Sequence, residues 1–221
     1  MSGRFIDVAS WKRRQHYELF RNAANPFFSV TVTVDVTALW QRRAEPGASF
    51  TLDSNYALLL AAHGSEAFRL RLRGDQAGRK GPPHDQEVWL HDRVGVGTTV
   101  LRSDETFGFA RLDLNENYAS FASAGRAALA KGKDPAFWDP LHGGDDVIYH
   151  SVLPWIRFNS FTNALPGHDS IPRVVFGQVF EEAGGYRMPV GVEVHHALVD
   201  GLDIARLLDA FQQHLNDSAW R

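Results

Sequence analysis

A turn near the C-terminus separates two segments of different periodicity, and no other part of the sequence constrains the fold as strongly. Residues 188–195 alternate valine with small or polar residues, which is typical of a β-strand with two unlike faces. Beyond the turn, Asp203 is a predicted helix N-cap. The apolar residues that follow it recur at helical spacing, at Ile204, Leu207, Leu208, Phe211 and Leu215. The sequence therefore predicts a strand, a tight turn and a helix in succession.

The turn reads His-x-x-x-Asp-Gly over residues 196–201. Imidazole is the side chain that most readily gains and loses a proton near neutral pH, so His196 at the mouth of a strand is a candidate base. Asp200 can organise the turn or pair with a nearby cation. The pattern indicates acyl-transfer chemistry, although Asp and Gly are also favoured in ordinary β-turns for backbone reasons alone.

Strand-like and helix-like segments are intermixed along the rest of the chain, and residues 28–36 alternate most strictly. Further strands are predicted near residues 68–73, 88–90, 97–101, 106–112, 147–161 and 173–180, and helices over residues 11–22, 37–43, 55–63 and 117–132. No regular βαβ repeat is present. We therefore predict an α+β (mixed α/β) fold, a two-layer mixed β-sheet covered by helices, as a single domain over residues 1–221.

Composition excludes several classes of function. The chain has no cysteine, which rules out disulfides, thiolate metal sites and a cysteine nucleophile. A net charge of −3 without a run of like charge gives no indication of nucleic-acid binding. The ten histidines show no spacing typical of a zinc site. With no apolar signal region and no apolar run long enough to span a bilayer, we expect a cytoplasmic protein without a bound metal.

Four segments, in the right order, resemble the chloramphenicol acetyltransferase family. Residues 195–201 match its His-His-x-x-x-Asp-Gly signature, and residues 5–17 resemble its opening, which carries Trp-x-Arg-Arg-x-His-aromatic. Residues 105–107 resemble its Glu-Thr-Phe segment, and residues 151–161 its Ser-x-x-Pro-Trp-x-x-Phe-x-Ser-Phe segment. The similarity covers almost the whole chain. This order is specific, whereas His-x-x-x-Asp-Gly alone is shared by other classes of acyltransferase.

The resemblance implies an enzyme that transfers acetyl from acetyl-CoA, as co-substrate, to a hydroxyl of chloramphenicol and so inactivates the antibiotic. It also implies a homotrimer with active sites at subunit interfaces. In such an enzyme His196 is the general base, and Ser151 donates a hydrogen bond to the oxyanion of the tetrahedral intermediate. Asp200 and Arg13 match the family's structural ion pair, which holds the catalytic turn in place.

The same resemblance assigns aromatic residues to the ligand pockets. Phe28, Phe107 and Phe161 match positions around the ring of the antibiotic, and Trp155 lies in the segment that lines the coenzyme channel. The alternative for each of these residues is ordinary core packing. The arginines at 69, 71 and 73 face one side of a predicted strand, where we expect a solvent-facing edge; contact with the phosphates of coenzyme A is the alternative.

The chain departs from the family at several pocket positions. Phe20 stands where relatives have a tyrosine that hydrogen-bonds the acceptor, and Phe176 where they have a threonine that helps hold a water. Asn163 replaces an apolar pocket residue. Near Val179-Phe180 the family's usual Lys-Tyr pair, which is associated with coenzyme binding, is absent, and Phe180 is a candidate coenzyme contact. These departures alter the acceptor pocket and leave the predicted catalytic residues in place.

Two alternatives to chloramphenicol acetylation follow. The first is an acyltransferase of the same fold with another hydroxylated acceptor or another acyl group, which Phe20, Asn163 and Phe176 favour. The second is a catalytically silent trimeric binding protein that keeps the fold. Four intact residues speak against this second alternative, namely His196, Ser151, Asp200 and Arg13.

Overall fold

The computed structural model describes residues 2–74, 87–140, 144–164, 169–217 and 219–220. The strands within these residues are β1 (Gly3–Phe5), β2 (Phe27–Asp35), β3 (Leu70–Arg73), β4 (Glu87–His91), β5 (Gly95–Leu101), β6 (Phe107–Leu112), β7 (Val147–Val152), β8 (Arg173–Phe176), β9 (Phe180–Glu182) and β10 (Gly185–His195). The helices are α1 (Arg14–Phe20), α2 (Thr37–Arg42), α3 (Phe50–His63), α4 (Tyr118–Gly132) and α5 (Gly201–Asn216). Within these ranges, no helix has the length and apolar character needed to cross a lipid bilayer.

Seven strands form one mixed sheet, in the order β2-β10-β8-β7-β5-β6, with β9 paired to β10. Within it, β7 runs parallel to β5 and β8, and the other neighbours are antiparallel. A second, antiparallel sheet has the order β1-β4-β3. The predicted mixed sheet with helices is confirmed. Because the parallel pairs do not come from consecutive strand–helix–strand units, the sequence shows no βαβ repeat.

Strand β10 lies inside the large sheet and is buried along most of its length. It pairs with β2 in antiparallel register, and the last pair is His195 with Phe27. The valines that identify both segments as strands, such as Val192 and Val34, are buried. Because the pairing ends at His195, His196 lies just beyond the sheet.

Helices α3 and α5 pack against each other. Helix α3 begins earlier than predicted, because the Ser49 hydroxyl accepts a hydrogen bond from the Leu52 N–H and caps it. Most of α3 is buried, so its sequence shows an apolar run and no one-sided stripe. Helix α5 instead buries a single face, which consists of Ile204, Leu207, Phe211 and Leu215.

The N-cap of α5 is Asp200, and the predicted N-cap at Asp203 is wrong. The Asp200 carboxylate accepts hydrogen bonds from the N–H groups of Leu202 and Asp203 at 3.0 and 3.2 Å. The Asp203 carboxylate accepts in turn from the Asp200 N–H at 3.1 Å, which completes a capping box. The turn and the helix are therefore joined without an intervening residue.

The predicted strand over residues 147–161 is wrong beyond Val152, where β7 ends. Pro154 follows almost at once, and proline has no N–H to donate to a neighbouring strand. The predicted strand over residues 173–180 is likewise interrupted after Phe176. As a consequence, Ser151 lies next to the last residue of its strand, at the edge of a loop.

The predicted solvent-facing arginine edge is wrong at Arg71. Its side chain is buried, and it donates to four backbone carbonyls, those of Phe68, Leu70, Asp145 and Val147. Burial lowers the pKa of Arg71 to about 10. Arg73 pairs with the Asp145 carboxylate at 2.9 Å. These arginines join the small sheet to the start of β7, so Arg71 is not available to the phosphates of a coenzyme.

Candidate active site

The turn after β10 holds His196 in one orientation. The His196 N–H donates to the Pro26 carbonyl at 2.8 Å, which ties the turn to the residue before β2. The ring atom Nδ1 lies 3.1 Å from the Val199 carbonyl oxygen. Because a carbonyl oxygen only accepts, Nδ1 carries the proton in the neutral form of the ring, and the lone pair is then on Nε2. The turn therefore presents Nε2 as a basic atom.

Two aromatic rings flank the His196 imidazole. The Phe20 ring stacks on it with centroids 4.0 Å apart and planes at 17°. The Phe28 ring lies at 4.6 Å and is tilted by 50°. Neither side chain has a hydrogen-bonding group, so both fix the imidazole by packing alone. The structure thus places two predicted acceptor contacts directly against the predicted base.

An ion pair supports the turn that carries His196. Arg13 Nη1 contacts the Asp200 carboxylate directly and lies 3.4 Å from the Asp203 carboxylate. Burial alone would raise the pKa of Asp200, but hydrogen bonds from Arg13 and from the Asp203 and Leu202 amides outweigh it and hold that pKa below its usual range. Asp200 is therefore anionic near neutral pH, and it links α1, the turn and α5.

His195 faces away from this arrangement. It is buried, its ring meets the Phe27 ring edge to face at 5.2 Å, and its Nδ1 accepts from the Ala197 N–H at 3.3 Å. Burial, and then the neighbouring His196, lower the pKa of His195 to about 4. A neutral, enclosed imidazole of this kind supports the turn and takes no part in proton transfer.

Ser151 lines a cavity of about 460 Å³ at the end of β7. Phe107 and Trp155 form part of its wall, and their side chains are 52% and 62% exposed. Together with Leu101, which is also exposed and lines the same cavity, they form a contiguous exposed apolar surface of the kind that marks a ligand or partner site. The structure brings Ser151, Phe107 and Trp155 together, as three of the predicted site residues, around one opening.

A larger cavity of about 650 Å³ adjoins the first, because Thr99, Leu101, Val152 and Pro154 line both. Its walls come from α2, α3, α4 and the large sheet. Phe176 lines this cavity and is otherwise enclosed: its ring stacks on Phe211 at 5.6 Å and meets His150 edge to face at 4.4 Å. Phe176 therefore supplies an apolar wall and has no group that would hold a water.

Three further predicted ligand contacts, Phe161, Asn163 and Phe180, line neither of the two cavities. Asn163 contacts the buried Glu193 carboxylate through its N–H and its Nδ2, both at 3.3 Å. Phe161 packs on Phe158 with centroids 5.7 Å apart. The Arg157 guanidinium covers the Phe180 ring at 3.5 Å.

His196 and Ser151 do not meet within one chain. Ser151 pairs with Val175 on β8, and Val175 pairs with Gly191 on β10, four residues before His195. Two strand spacings across the sheet and five residues along it separate the two backbones by roughly 15–20 Å. A base and an oxyanion donor must both reach one reacting carbonyl at hydrogen-bond distance. Within one chain, therefore, the two predicted catalytic residues lie too far apart to act on the same carbonyl.

His150 is a buried titratable residue that the sequence did not single out. It precedes Ser151 on β7, and its Nδ1 lies 2.9 Å from the Thr98 hydroxyl. Burial lowers the pKa of His150 to about 3. The burial of His150 had one sequence signal, which is its position in an alternating strand on the face opposite to that of Ser151.

The described residues contain no group of three or more His, Asp or Glu side chains arranged to hold a metal ion. Three of the histidines, His84, His142 and His168, lie outside the residues that the structure describes.

Comparisons of this chain with known proteins point to one family. A family model described as chloramphenicol acetyltransferase matches residues 1–212. A chloramphenicol acetyltransferase of Streptomyces acrimycini is 30% identical over 97% of this chain and 95% of its own length. One from Proteus mirabilis is 25% identical over 96% of this chain and 94% of its own.

Solved structures show the same fold. A chloramphenicol acetyltransferase superposes with a TM-score of 0.83 at 24% identity, over 97% of this chain and 100% of the other. The dihydrolipoamide acetyltransferase of Azotobacter vinelandii superposes with a TM-score of 0.64 at 15% identity, over 92% of this chain and 86% of the other. At these identities the likeness concerns the fold alone.

Proposed function

This chain belongs to the chloramphenicol acetyltransferase family, whose members use acyl-CoA as co-substrate, and we propose that it acetylates a hydroxyl of chloramphenicol from acetyl-CoA. The product is an inactivated antibiotic. The observation that carries the proposal is the fixed tautomer of His196. With Nδ1 bonded to the Val199 carbonyl, the free Nε2 is the atom that can take a hydroxyl proton.

In the proposed mechanism, Nε2 of His196 removes the proton of the acceptor hydroxyl as that oxygen attacks the thioester carbonyl carbon. The carbonyl π electrons move to oxygen, and the Ser151 hydroxyl donates a hydrogen bond to the resulting oxyanion. The tetrahedral intermediate then collapses, the carbon–sulfur bond breaks, and the imidazolium returns its proton to the leaving thiolate. Asp200 and Arg13 hold the turn through these steps and do not react.

The site is proposed to form between two copies of the chain, in a homotrimer. The separation of His196 from Ser151 within one chain supports this, since neither residue is complete as a catalyst alone. The exposed Phe107 and Trp155 rings beside Ser151 support it as well, because a second copy would cover them. His196 of one copy would then reach the acceptor beside Ser151 of the next.

A different hydroxylated acceptor is the second candidate function, and Phe20 is the observation that favours it. Its ring stacks on the base and offers no hydroxyl to the acceptor. An acceptor must then be oriented by apolar contacts with rings such as Phe28 and Phe107. This is compatible with chloramphenicol, and equally with another aromatic alcohol.

The test is release of free coenzyme A from acetyl-CoA, followed with a thiol reagent, with and without chloramphenicol. The chain has no cysteine, so the protein itself gives no background. We expect release that requires chloramphenicol and is lost in His196→Ala. Release with other alcohols only would favour the second candidate. Tight binding of chloramphenicol without release would identify a binding protein and contradict the proposal.

A further inference from the structure

A third cavity, of about 290 Å³, lies between the segment before α1, the end of α3 and helix α5. It shares no lining residue with the other two cavities, and neither His196 nor Ser151 lines it. Its wall includes Leu198, from the turn that carries His196, and Arg13, whose ion pair with Asp200 supports that turn. The proposed reaction makes no use of this cavity, although the cavity adjoins the support of the base.

Two cations in the wall of this third cavity have no acidic partner. Lys12 and Arg206 both line the cavity and are exposed, and within the described ranges no carboxylate forms an ion pair with either of them. Arg206 follows Asp203 by three residues, a spacing that allows a pair on a helix. The Asp203 carboxylate instead lies 3.4 Å from Arg13 and accepts from the Asp200 N–H at 3.1 Å. Because that carboxylate is committed to the turn, the charge of Arg206 remains available to a ligand.

The other titratable side chains of the wall do not cancel this positive charge. The Glu66 carboxylate lies 3.8 Å from the guanidinium of Arg4, which is not a lining residue. Burial lowers the pKa of His214, so its ring is neutral near neutral pH and adds no charge. The excess charge of the cavity therefore comes from Lys12 and Arg206, and it favours an anionic ligand.

The rest of the wall is largely apolar, and it includes Trp11, Leu60, Leu70 and Ala210. The volume of the cavity is at the lower end of the range for ligand sites, so the ligand must be small. An arginine guanidinium matches the two oxygens of a carboxylate with two parallel hydrogen bonds. These features together describe a compact apolar body that carries one carboxylate.

We propose that the third cavity binds a small aromatic monocarboxylate, with its anionic group between Lys12 and Arg206 and its ring against Trp11 and Leu60. This is a second ligand site, separate from the site of acetyl transfer. Binding there involves neither His196 nor an acyl donor. The proposal therefore stands or falls independently of the reaction proposed for the chain.

The first test compares four ligands by titration calorimetry. Phenylacetate should bind with a Kd on the order of 0.1–1 mM at low ionic strength, and more weakly as salt is added. Phenylacetamide and phenethylamine have the same ring with no charge or a positive charge, and both should bind at least about tenfold more weakly. Inorganic phosphate has the charge without the ring. Equal affinity for phenylacetamide would contradict the role of the two cations, and phosphate binding as tightly as phenylacetate would contradict the apolar contact.

Substitutions of the two cations locate the bound phenylacetate. Arg206→Ala should raise the Kd roughly fivefold to twentyfold, and Arg206→Lys should raise it less, because it keeps the charge and loses the planar fork. Arg206 is exposed on α5 and alanine favours a helix, so the fold should be kept. Lys12→Ala should weaken binding as well. The matched control is Arg14→Ala, since Arg14 is exposed, pairs with Glu18 at 2.8 Å and does not line the cavity. An unchanged Kd in Arg206→Ala would overturn the proposal.

A competition experiment separates this site from the site of acetyl transfer. The phenylacetate titration is repeated with saturating coenzyme A and chloramphenicol, and the Kd should stay the same, because the cavities share no lining residue. Displacement of phenylacetate by either compound would place it in the reaction site and contradict the proposal. If phenylacetate binding depends on Arg206 but chloramphenicol is not acetylated, the proposed function is wrong and the second ligand site stands.

Discussion

Ser151 lies on the large sheet and His196 just beyond its edge, and the two residues are separated by two strand spacings and five residues of strand length. For this reason the proposed catalytic pair is assigned to two copies of the chain. This relationship makes a sharp prediction about mixtures of inactive variants.

Ser151→Ala and His196→Ala should each retain on the order of 1% of wild-type turnover or less when expressed alone, and mixed assemblies should recover activity. In random oligomers of the two variants, about one site in four combines an intact His196 from one copy with an intact Ser151 from its neighbour. We therefore expect roughly a quarter of wild-type turnover after co-expression or joint refolding. A site within one chain would show no recovery, and the double variant mixed with itself is the control.

The oxyanion role of Ser151 predicts the size of its effect. Ser151→Ala should lower kcat on the order of 10²–10³ with little change in KM, because the lost hydrogen bond acts in the transition state. Ser151→Thr keeps a hydroxyl and should retain more activity. Steady-state kinetics with chloramphenicol check both variants. A kcat within a few-fold of wild type in Ser151→Ala would show that another group stabilises the oxyanion.

Phe20 is expected to act as a positioning residue for the imidazole. Phe20→Leu removes the stacked ring and should lower kcat by roughly tenfold, since small misplacements of a catalytic group are costly. Phe20→Tyr keeps the ring and should retain kcat, and its new hydroxyl should lower the KM for chloramphenicol. Both constants come from one set of initial rates. A Phe20→Leu variant with unchanged kcat would show that Phe28 alone positions the base.

Asp200 caps α5 and pairs with Arg13, and two substitutions separate these roles. Asp200→Asn keeps a good N-cap and removes the charge, whereas Asp200→Ala removes both. We expect Asp200→Ala to lose about 1–2 kcal/mol more of the free energy of unfolding than Asp200→Asn. Urea denaturation gives both values. Equal losses in the two variants would mean that the cap contributes nothing.

The buried histidines predict a loss of stability in acid. The pKa of His150 is lowered to about 3 and that of His195 to about 4, below the value of about 6.5 in an unfolded chain. As the pH falls from 6.5 toward these values, the unfolded chain binds protons that the folded chain does not. The contribution of these two histidines to the free energy of unfolding should therefore be complete above pH 6.5. Below that pH it should decline, by up to about 1.4 kcal/mol per pH unit for each histidine.

His150→Gln tests this assignment. Glutamine keeps a polar partner for Thr98 and does not titrate. The slope of unfolding free energy against pH between 6.5 and 4.5 should therefore become shallower, by an amount that corresponds to at most one bound proton. Urea denaturation at several pH values measures the slope. A slope identical to that of wild type would show that His150 does not contribute to the acid sensitivity.

Much of the local structure could be predicted from the sequence. The alternation in β2 and β10 and the helical spacing in α5 are properties of neighbouring residues, and both appear in the structure as expected. The ends of elements were less predictable. Ser49 and Asp200 cap their helices before the apolar patterns begin. Because a cap is a single polar residue and leaves no periodic signal, these helix starts could not be read from the pattern.

The sequence by itself determined the family, the mixed fold and the His-x-x-x-Asp-Gly turn, since these depend on motifs and on local periodicity. Only the tertiary structure decided the burial of Arg71, whose partners Asp145 and Val147 are 74 and 76 residues away in the chain. It alone also decided that Phe20 stacks on His196, and that Ser151 lies too far from His196 to share a site with it in one chain. Burial, stacking and strand register arise from contacts between remote segments, and no pattern of neighbouring residues encodes them.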